Sequence, residues 1–245
     1  MIRTIVMLGF WLLMLIPVVL ICFPWTLITG HVGLLYRVGT WAALAGVRLA
    51  GVRVHTVGLD KIDLSRTYIF MSNHVSNIDP PLMLPLIPGR ASVMAKKELF
   101  DIPLFGRALR LGSIVPVDRK NRDAGIAAVR AAAEVIRKGI HMMIYVEGGR
   151  SFDGKLLPFK KGPFYLAVEG NVPVIPVTIV GTHHVMPKGR FAVKPGNVTV
   201  IFHEVIEPKD FGSRESLMVK VRDVINSGLP VEMQSPSEGQ LAQKV

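Results

Sequence analysis

The first polar landmark of this chain comes late. Residues 4–36 contain no Asp, Glu, Lys or Arg, and residues 4–29 form an almost unbroken apolar run. About 20 such residues cross a hydrocarbon core. Pro17 and Pro24 each remove a backbone hydrogen bond and predict a kink or interruption, and Gly30 predicts the stop. A removed secretory signal is the weaker reading, because the run continues through Cys22, Phe23 and Trp25 with no small-residue cleavage site. Residues 31–51 then read as a second helix. At 100° per residue, Gly33, Arg37, Thr40, Arg48 and Gly51 share one narrow face, interrupted by Leu44, and Leu34, Leu35, Val38, Trp41 and Leu49 cover much of the rest. That pattern suits a helix lying in a membrane interface with two cationic contacts for headgroups, or a mostly buried helix. Residues 1–51 are therefore expected to form a two-helix membrane anchor, and spanning and interfacial placements both fit.

Beyond residue 51 the period changes. Short apolar runs at 52–57, 67–72, 91–95, 113–117, 140–146, 174–180 and 197–205 predict strands. Helical patterns at 80–86, 97–109, 122–138, 162–169 and 213–226 alternate with them. This alternation predicts an α/β fold, a mostly parallel central sheet flanked by helices, over residues 52–230. The run Met142-Met143-Ile144-Tyr145-Val146 is apolar on both parities, as a strand covered on both faces should be. The segment 231–245 is polar and is read as a disordered tail.

Composition narrows the partners. The 245 residues are 50% hydrophobic and 19% charged, with a net charge of +11 and one cysteine. Disorder is excluded, as are a disulfide framework and a zinc site of several thiolates. A chain both apolar and basic points to a membrane surface bearing anionic lipid. Nucleic acid is not expected as a partner, since the basic residues are scattered and few aromatics interleave with them.

The densest polar cluster is Asn73-His74-Val75-Ser76-Asn77-Ile78-Asp79-Pro80-Pro81. A histidine can accept a proton near neutral pH, and a carboxylate can orient its ring. A five-residue separation puts His74 and Asp79 about 140° apart on a helix, so only a strand-to-helix loop would join them. Asp79 before Pro80 also suits a plain helix cap. Spacing leaves both readings standing. Residues 90–122 carry eight basic and three acidic residues, either an anion site or solvated surface, with counts favouring the surface. The stretch Tyr145-Val146-Glu147-Gly148-Gly149-Arg150-Ser151 ends a strand. Its glycines and arginine suit phosphate binding or an ordinary turn. Gly149, Gly154 and Lys155 have P-loop spacing, but Leu156 replaces the magnesium-binding Ser or Thr, so that motif is rejected. No G-x-S-x-G elbow, dinucleotide fingerprint or metal-ligand spacing is present, so no metal or cofactor is expected.

Taken in order, these clusters resemble the 1-acyl-sn-glycerol-3-phosphate (lysophosphatidate) acyltransferase family of glycerolipid acyltransferases. The family's N-H-x-x-x-x-D block is matched by Asn73, His74 and Asp79. A Lys-Glu-Leu block ending in Asp-Arg is similar to residues 97–119. The family's F-P-E-G-T-R-S block is similar to residues 145–151, with Val146 in place of Pro and Gly149 in place of Thr. A proline-bearing block is similar to residues 172–177. The resemblance spans about residues 50–210.

That resemblance implies a membrane-associated acyltransferase. His74 would take the proton of a lyso-lipid hydroxyl and Asp79 would orient it. The donor would be acyl-CoA or acyl carrier protein, a co-substrate with no further cofactor. Arg150, with Glu147, Gly148, Gly149 and Ser151 and with Lys97 and Arg119 as further candidates, would hold the anionic lyso-phospholipid, Glu147 through a glycerol hydroxyl or by positioning Arg150. The expected location is the cytoplasmic face of the inner membrane, among membrane lipid. The rivals are an acyltransferase for a different lyso-lipid and a non-catalytic anionic-lipid-binding protein.

Overall fold

The computed structural model describes residues 1–118 and 121–235. Helix α1 (Ile2–Pro17) passes through a π-helical turn (Val18–Cys22) into α2 (Phe23–Thr29), and Gly30 ends the run in a left-handed conformation. The widened turn begins directly after Pro17. This is where the missing N–H of a proline loosens the helical ladder, so the proline produces a bulge without breaking the helix. Helix α3 (Gly33–Leu49) doubles back along α1. Trp11 locks the pair: its indole N–H donates to the Ala42 carbonyl at 3.0 Å. A side chain at Gly46 would collide with the indole ring, its Cβ falling 2.1 Å from Nε1. Glycine is thus the residue that lets the two helices meet there.

The sheet follows the expected alternation. Its seven strands are β1 (Val52–Val57), β2 (Ile69–Ser72), β3 (Ala91–Lys96), β4 (Val115–Val117), β5 (His141–Tyr145), β6 (Val174–Val180) and β7 (Gly196–Phe202). They stand in the order β1-β7-β6-β2-β5-β3-β4, and every pairing is parallel except β6 with β7. Alternate residues feed two cores. Ile69, Met71, Met142 and Ile144 face one side, while Phe70, Met143 and Tyr145 face the other. Both parities are therefore apolar, and each large side chain buried this way contributes roughly 1.5–3 kcal/mol.

Around the sheet lie α4 (Asp79–Met83), α5 (Phe105–Leu111), α6 (Arg122–Arg137), α7 (Lys161–Glu169), α8 (Thr182–Val185) and α9 (Arg214–Ser227). The helix expected over 97–109 is two pieces, a 3₁₀ turn (Lys97–Asp101) and α5, because Pro103 falls between them. Asn121 caps α6 by accepting from the Asp123 and Ala124 amides, and Ser213 opens α9 with a capping box, each worth about 1 kcal/mol.

The segment expected to be disordered from residue 231 is ordered at its start. Val231–Met233 form a 3₁₀ turn, Ser235 exchanges two hydrogen bonds with Asn226, and Met233 is buried against Gly154. Composition missed this because one apolar residue, Met233, supplies the docking. Residues 236–245 lie outside the described residues.

Candidate active site

Because β2, β5, β3, β4 and β6 run parallel, the loops that follow them gather at one edge of the sheet, where ligand sites of such folds are built. His74 lies in the loop after β2. Its Nδ1–H donates to Asp79 Oδ2 at 2.7 Å, and the same oxygen accepts the backbone N–H groups of Val75 and Ser76 at 2.9 Å. Asp79 is the first residue of α4 and not its cap, and its carboxylate faces backward into the loop. Of the two readings that spacing allowed, the structure has the His–Asp pair. Asp79 is fully buried and His74 is 6% exposed. With Nδ1 engaged, Nε2 is the ring nitrogen left to accept a proton.

The rest of the block is scaffold for that pair. Asn73 extends β2 sideways: its side chain accepts the Ile179 N–H at 2.8 Å and donates to the Ile179 carbonyl at 2.9 Å, imitating a strand partner for β6. Ser76 Oγ donates to the Met186 carbonyl at 2.7 Å. That bond, with a bridge between Ser76 and Pro187, ties the loop after α8 to the catalytic loop.

Glu147, expected to meet a glycerol hydroxyl or to position Arg150, is bonded in this structure to the backbone of two loops. One carboxylate oxygen accepts the His74 N–H and the other accepts the Leu157 N–H, both at 2.7 Å. Leu157 is held from its other side by Arg222, which donates to its carbonyl. Burial pushes the Glu147 carboxyl up to about 7, against the two amide bonds and the Arg222 charge, which favour the ionised form. Glu147 is thus a brace between the two motif loops. Ser151 is a second brace: its N–H donates to the His74 carbonyl at 2.9 Å, while its hydroxyl donates to Asp153 and accepts from the Gly154 amide. Both residues are buried, and the polar atoms named here bond within the protein.

Gly148 turns the chain with φ +67°, and a Cβ at Gly149 would meet nothing within 4 Å. Among the described residues, the N–H groups of Gly149 and Arg150 donate to no protein acceptor. Arg150 is half-buried and, among the described residues, in no ion pair. Lys97 stands at the same sheet edge after β3, but its ammonium is bonded to Asp118, which holds its pKa above the ordinary lysine value. Arg119 lies outside the described residues.

Two contributors escaped the sequence reading. Tyr145 stacks on the His74 ring with centroids 4.1 Å apart at 21°. Its place directly before Val146 in the motif is a signal for it, though a buried strand end explains an aromatic equally well. Lys188, after α8, donates to the Arg150 carbonyl at 2.7 Å and lies 3.7 Å over the Phe152 ring. A separation of 38 residues in the chain gave no local signal for it.

A family model described as Acyltransferase matches residues 53–180, a span containing the His74–Asp79 pair, the Glu147 brace and Arg150. Fold and site thus define an acyltransferase domain. The 1-acyl-sn-glycerol-3-phosphate acyltransferase of Cocos nucifera is 32% identical over 196 residues, 79% of this chain and 62% of that protein. The enzyme of the same name from Limnanthes alba is 33% identical over 195 residues, 79% of this chain and 68% of that protein. This chain therefore spans about two thirds of the length of these plant relatives. The crystal structure of the 1-acyl-sn-glycerophosphate acyltransferase from Thermotoga maritima matches with a TM-score of 0.77 and 29% identity, covering 91% of this chain and 93% of that one. The chain belongs to the 1-acyl-sn-glycerol-3-phosphate acyltransferase family.

Proposed function

We propose that this protein transfers an acyl group from acyl-CoA or acyl carrier protein to the sn-2 hydroxyl of 1-acylglycerol 3-phosphate, giving phosphatidate. The observation that carries the reading is the pinned pair: three donors fix the Asp79 carboxylate, which leaves His74 Nε2 as a positioned base. His74 Nε2 takes the hydroxyl proton as the acceptor oxygen bonds to the thioester carbonyl carbon. The carbonyl oxygen becomes an oxyanion, for which the free N–H groups of Gly149 and Arg150 are candidate donors. Collapse breaks the carbon–sulfur bond, and the imidazolium returns its proton to the departing thiolate. The acyl group passes directly between substrates, with no acyl-enzyme and no metal or other cofactor. Arg150 binds the acceptor phosphate.

The anchor supports an interfacial placement. At one end, Thr4 accepts the Val193 N–H, and Met7 is buried beside Ile78 of the catalytic loop. At the other, Phe23 and Leu35 pack with Ala108 and Leu111 of α5. Nineteen residues separate Thr4 from Phe23, about 29 Å of helix, and the domain holds both ends. A spanning helix would have to release one of them. The outer face instead exposes Leu12, Leu13, Ile16, Leu20 and Ile28, apolar surface of the kind that enters one leaflet. The cytoplasmic face is where the thioester donors are found, and the +11 charge suits its anionic lipid.

The test is acyl transfer by purified protein from each thioester to lysophosphatidate, glycerol 3-phosphate and neutral-headgroup lyso-lipids, with His74→Ala as control. Transfer to lysophosphatidate that the variant loses supports the proposal. Transfer to another lyso-lipid alone replaces the acceptor. No transfer to any acceptor, with lipid still bound, favours a binding protein.

A further inference from the structure

A hollow of about 450 Å³ opens between α3 and the segment joining α4 to β3. Arg37 and Arg90 line it, with the side chains of Tyr36 and Thr40 and an apolar wall that includes Leu84 and Ile87. It is remote from the catalytic edge: Arg90 immediately precedes the first residue of β3, whereas His74 follows the last residue of the parallel strand β2.

The charges in this hollow are unanswered. Among the described residues neither arginine is in an ion pair, and no carboxylate lines the space. Arg90 Nε is buried with no hydrogen-bond acceptor, an expensive condition for a guanidinium. The guanidinium is held by stacking, its carbon 5.9 Å from the Tyr36 ring centroid, and Tyr36 is fixed by accepting the Ala91 N–H at 2.9 Å. The α3 N-terminus at Gly33 borders the same space with no acidic residue in its first turn and no side-chain cap, adding partial positive charge. Leu34 and Trp41, exposed on α3, flank these polar groups with surface suited to acyl chains and headgroup level.

We propose that this hollow binds the phosphate of an anionic phospholipid, with Arg37 and Arg90 on the phosphate and the lipid's glycerol and upper chains against the Leu84–Ile87 wall. It is a second lipid site, separate from the one that binds the acceptor. It rests on the interfacial placement of the anchor and not on the identity of the reaction. Its role is to fix the angle at which the domain sits on the bilayer. Two arginines and an apolar wall together match a lipid better than a free anion, which would need no wall.

The experiment measures partitioning of the full chain onto vesicles of phosphatidylcholine alone and with phosphatidylglycerol. It compares wild type with Arg37→Ala, Arg90→Ala and Arg130→Ala, an exposed arginine on α6 on the opposite face of the sheet. Arg37 is exposed, so its replacement leaves the fold intact even if that of Arg90 does not, and turnover of a short-chain soluble substrate reports folding for each. The expected result is a preference of wild type for the anionic vesicles that falls about fivefold for each hollow variant, with neutral-vesicle binding and the Arg130 variant unchanged. An equal loss in the Arg130 variant would overturn the site in favour of diffuse attraction. Abolition of the preference by millimolar inorganic phosphate at constant ionic strength would make the hollow a free-anion site and overturn the lipid assignment. Failure of wild type to bind either vesicle would overturn the interfacial reading together with the site.

Discussion

The Tyr145 ring lies against the His74 imidazole at 4.1 Å, so that imidazole is gripped from two directions: Asp79 fixes the ring edge and Tyr145 covers a face. The Tyr145 hydroxyl is buried without a hydrogen-bond partner, and burial beside Asp79 drives its pKa upward. The ring is therefore expected to carry the effect and the hydroxyl none. Tyr145→Phe is expected to keep full turnover and to gain about 1 kcal/mol, by removing an unsatisfied polar atom. Tyr145→Ala opens a cavity costing about 3–5 kcal/mol and frees the imidazole, so kcat falls. Urea midpoints and steady-state kinetics of the two variants check this; a large kcat loss in Tyr145→Phe would assign the hydroxyl a part in the chemistry.

His74 and Asp79 should differ in what their loss does to the fold. His74→Ala removes the base, and transfer should drop by about 10²–10⁴ with the melting temperature nearly unchanged. Asp79→Ala also leaves the Val75 and Ser76 amides and the His74 ring without their acceptor. Each orphaned donor costs about 1–3 kcal/mol. Thermal melts beside activity assays separate the two; equal melting temperatures would mean that the loop holds without Asp79.

Arg150 and Lys97 make a second contrast. Arg150 has no carboxylate partner among the described residues, so Arg150→Ala should raise KM for phosphate-bearing acceptors by about 10–100-fold, the value of one charge-assisted bond. Lys97 is already paired with Asp118 at an exposed site, and such pairs are worth about 0–1 kcal/mol. Lys97→Ala should change KM only slightly. Acceptors with and without phosphate provide the readout, and parallel losses on both would remove Arg150 from the phosphate.

The Glu147 carboxyl titrates at about 7 in the folded chain against 4.5 when free. The native state thus holds its proton more tightly than the unfolded state. Its contribution to stability is complete below pH 4.5 and is lost as pH rises through about 7. The shift corresponds to on the order of 3 kcal/mol. Glu147→Gln cannot titrate, so wild type should lose stability relative to the variant between pH 5 and pH 8. Denaturant midpoints of both proteins across that range measure it; parallel curves would show that the amide donors keep Glu147 ionised.

Gly149→Thr restores the residue usual in the resembling motif. Because a Cβ there meets nothing within 4 Å, the variant should fold normally and keep turnover on lysophosphatidate. Loss of turnover with an intact fold would show that the loop closes on residue 149 during the reaction.

The sheet was legible because its strands are apolar on both parities, and all seven predicted runs coincide with strands to within a few residues. The His74–Asp79 pair was legible only as two residues that a loop would have to join. What stayed hidden has a common physical cause, since side-chain-to-backbone bonds over long separations leave no periodic trace. Glu147 accepts from His74 across 73 residues, and Asn73 meets Ile179 across 106. In the sequence Glu147 is a carboxylate beside an arginine, which reads as substrate chemistry. Only its two backbone hydrogen bonds show that it holds two loops together. The pairing of Lys97 with Asp118 was hidden for the same reason, since Asp118 lies on a neighbouring loop.

The strapping of the N-terminal helices at Thr4 and again at Phe23 bears on how the reaction should scale. A domain lying flat along one leaflet, as proposed, would meet its lipid substrate by diffusion in two dimensions. Turnover should therefore follow the mole fraction of lyso-lipid in the surface, and diluting that surface with inert detergent should slow the reaction at constant bulk concentration.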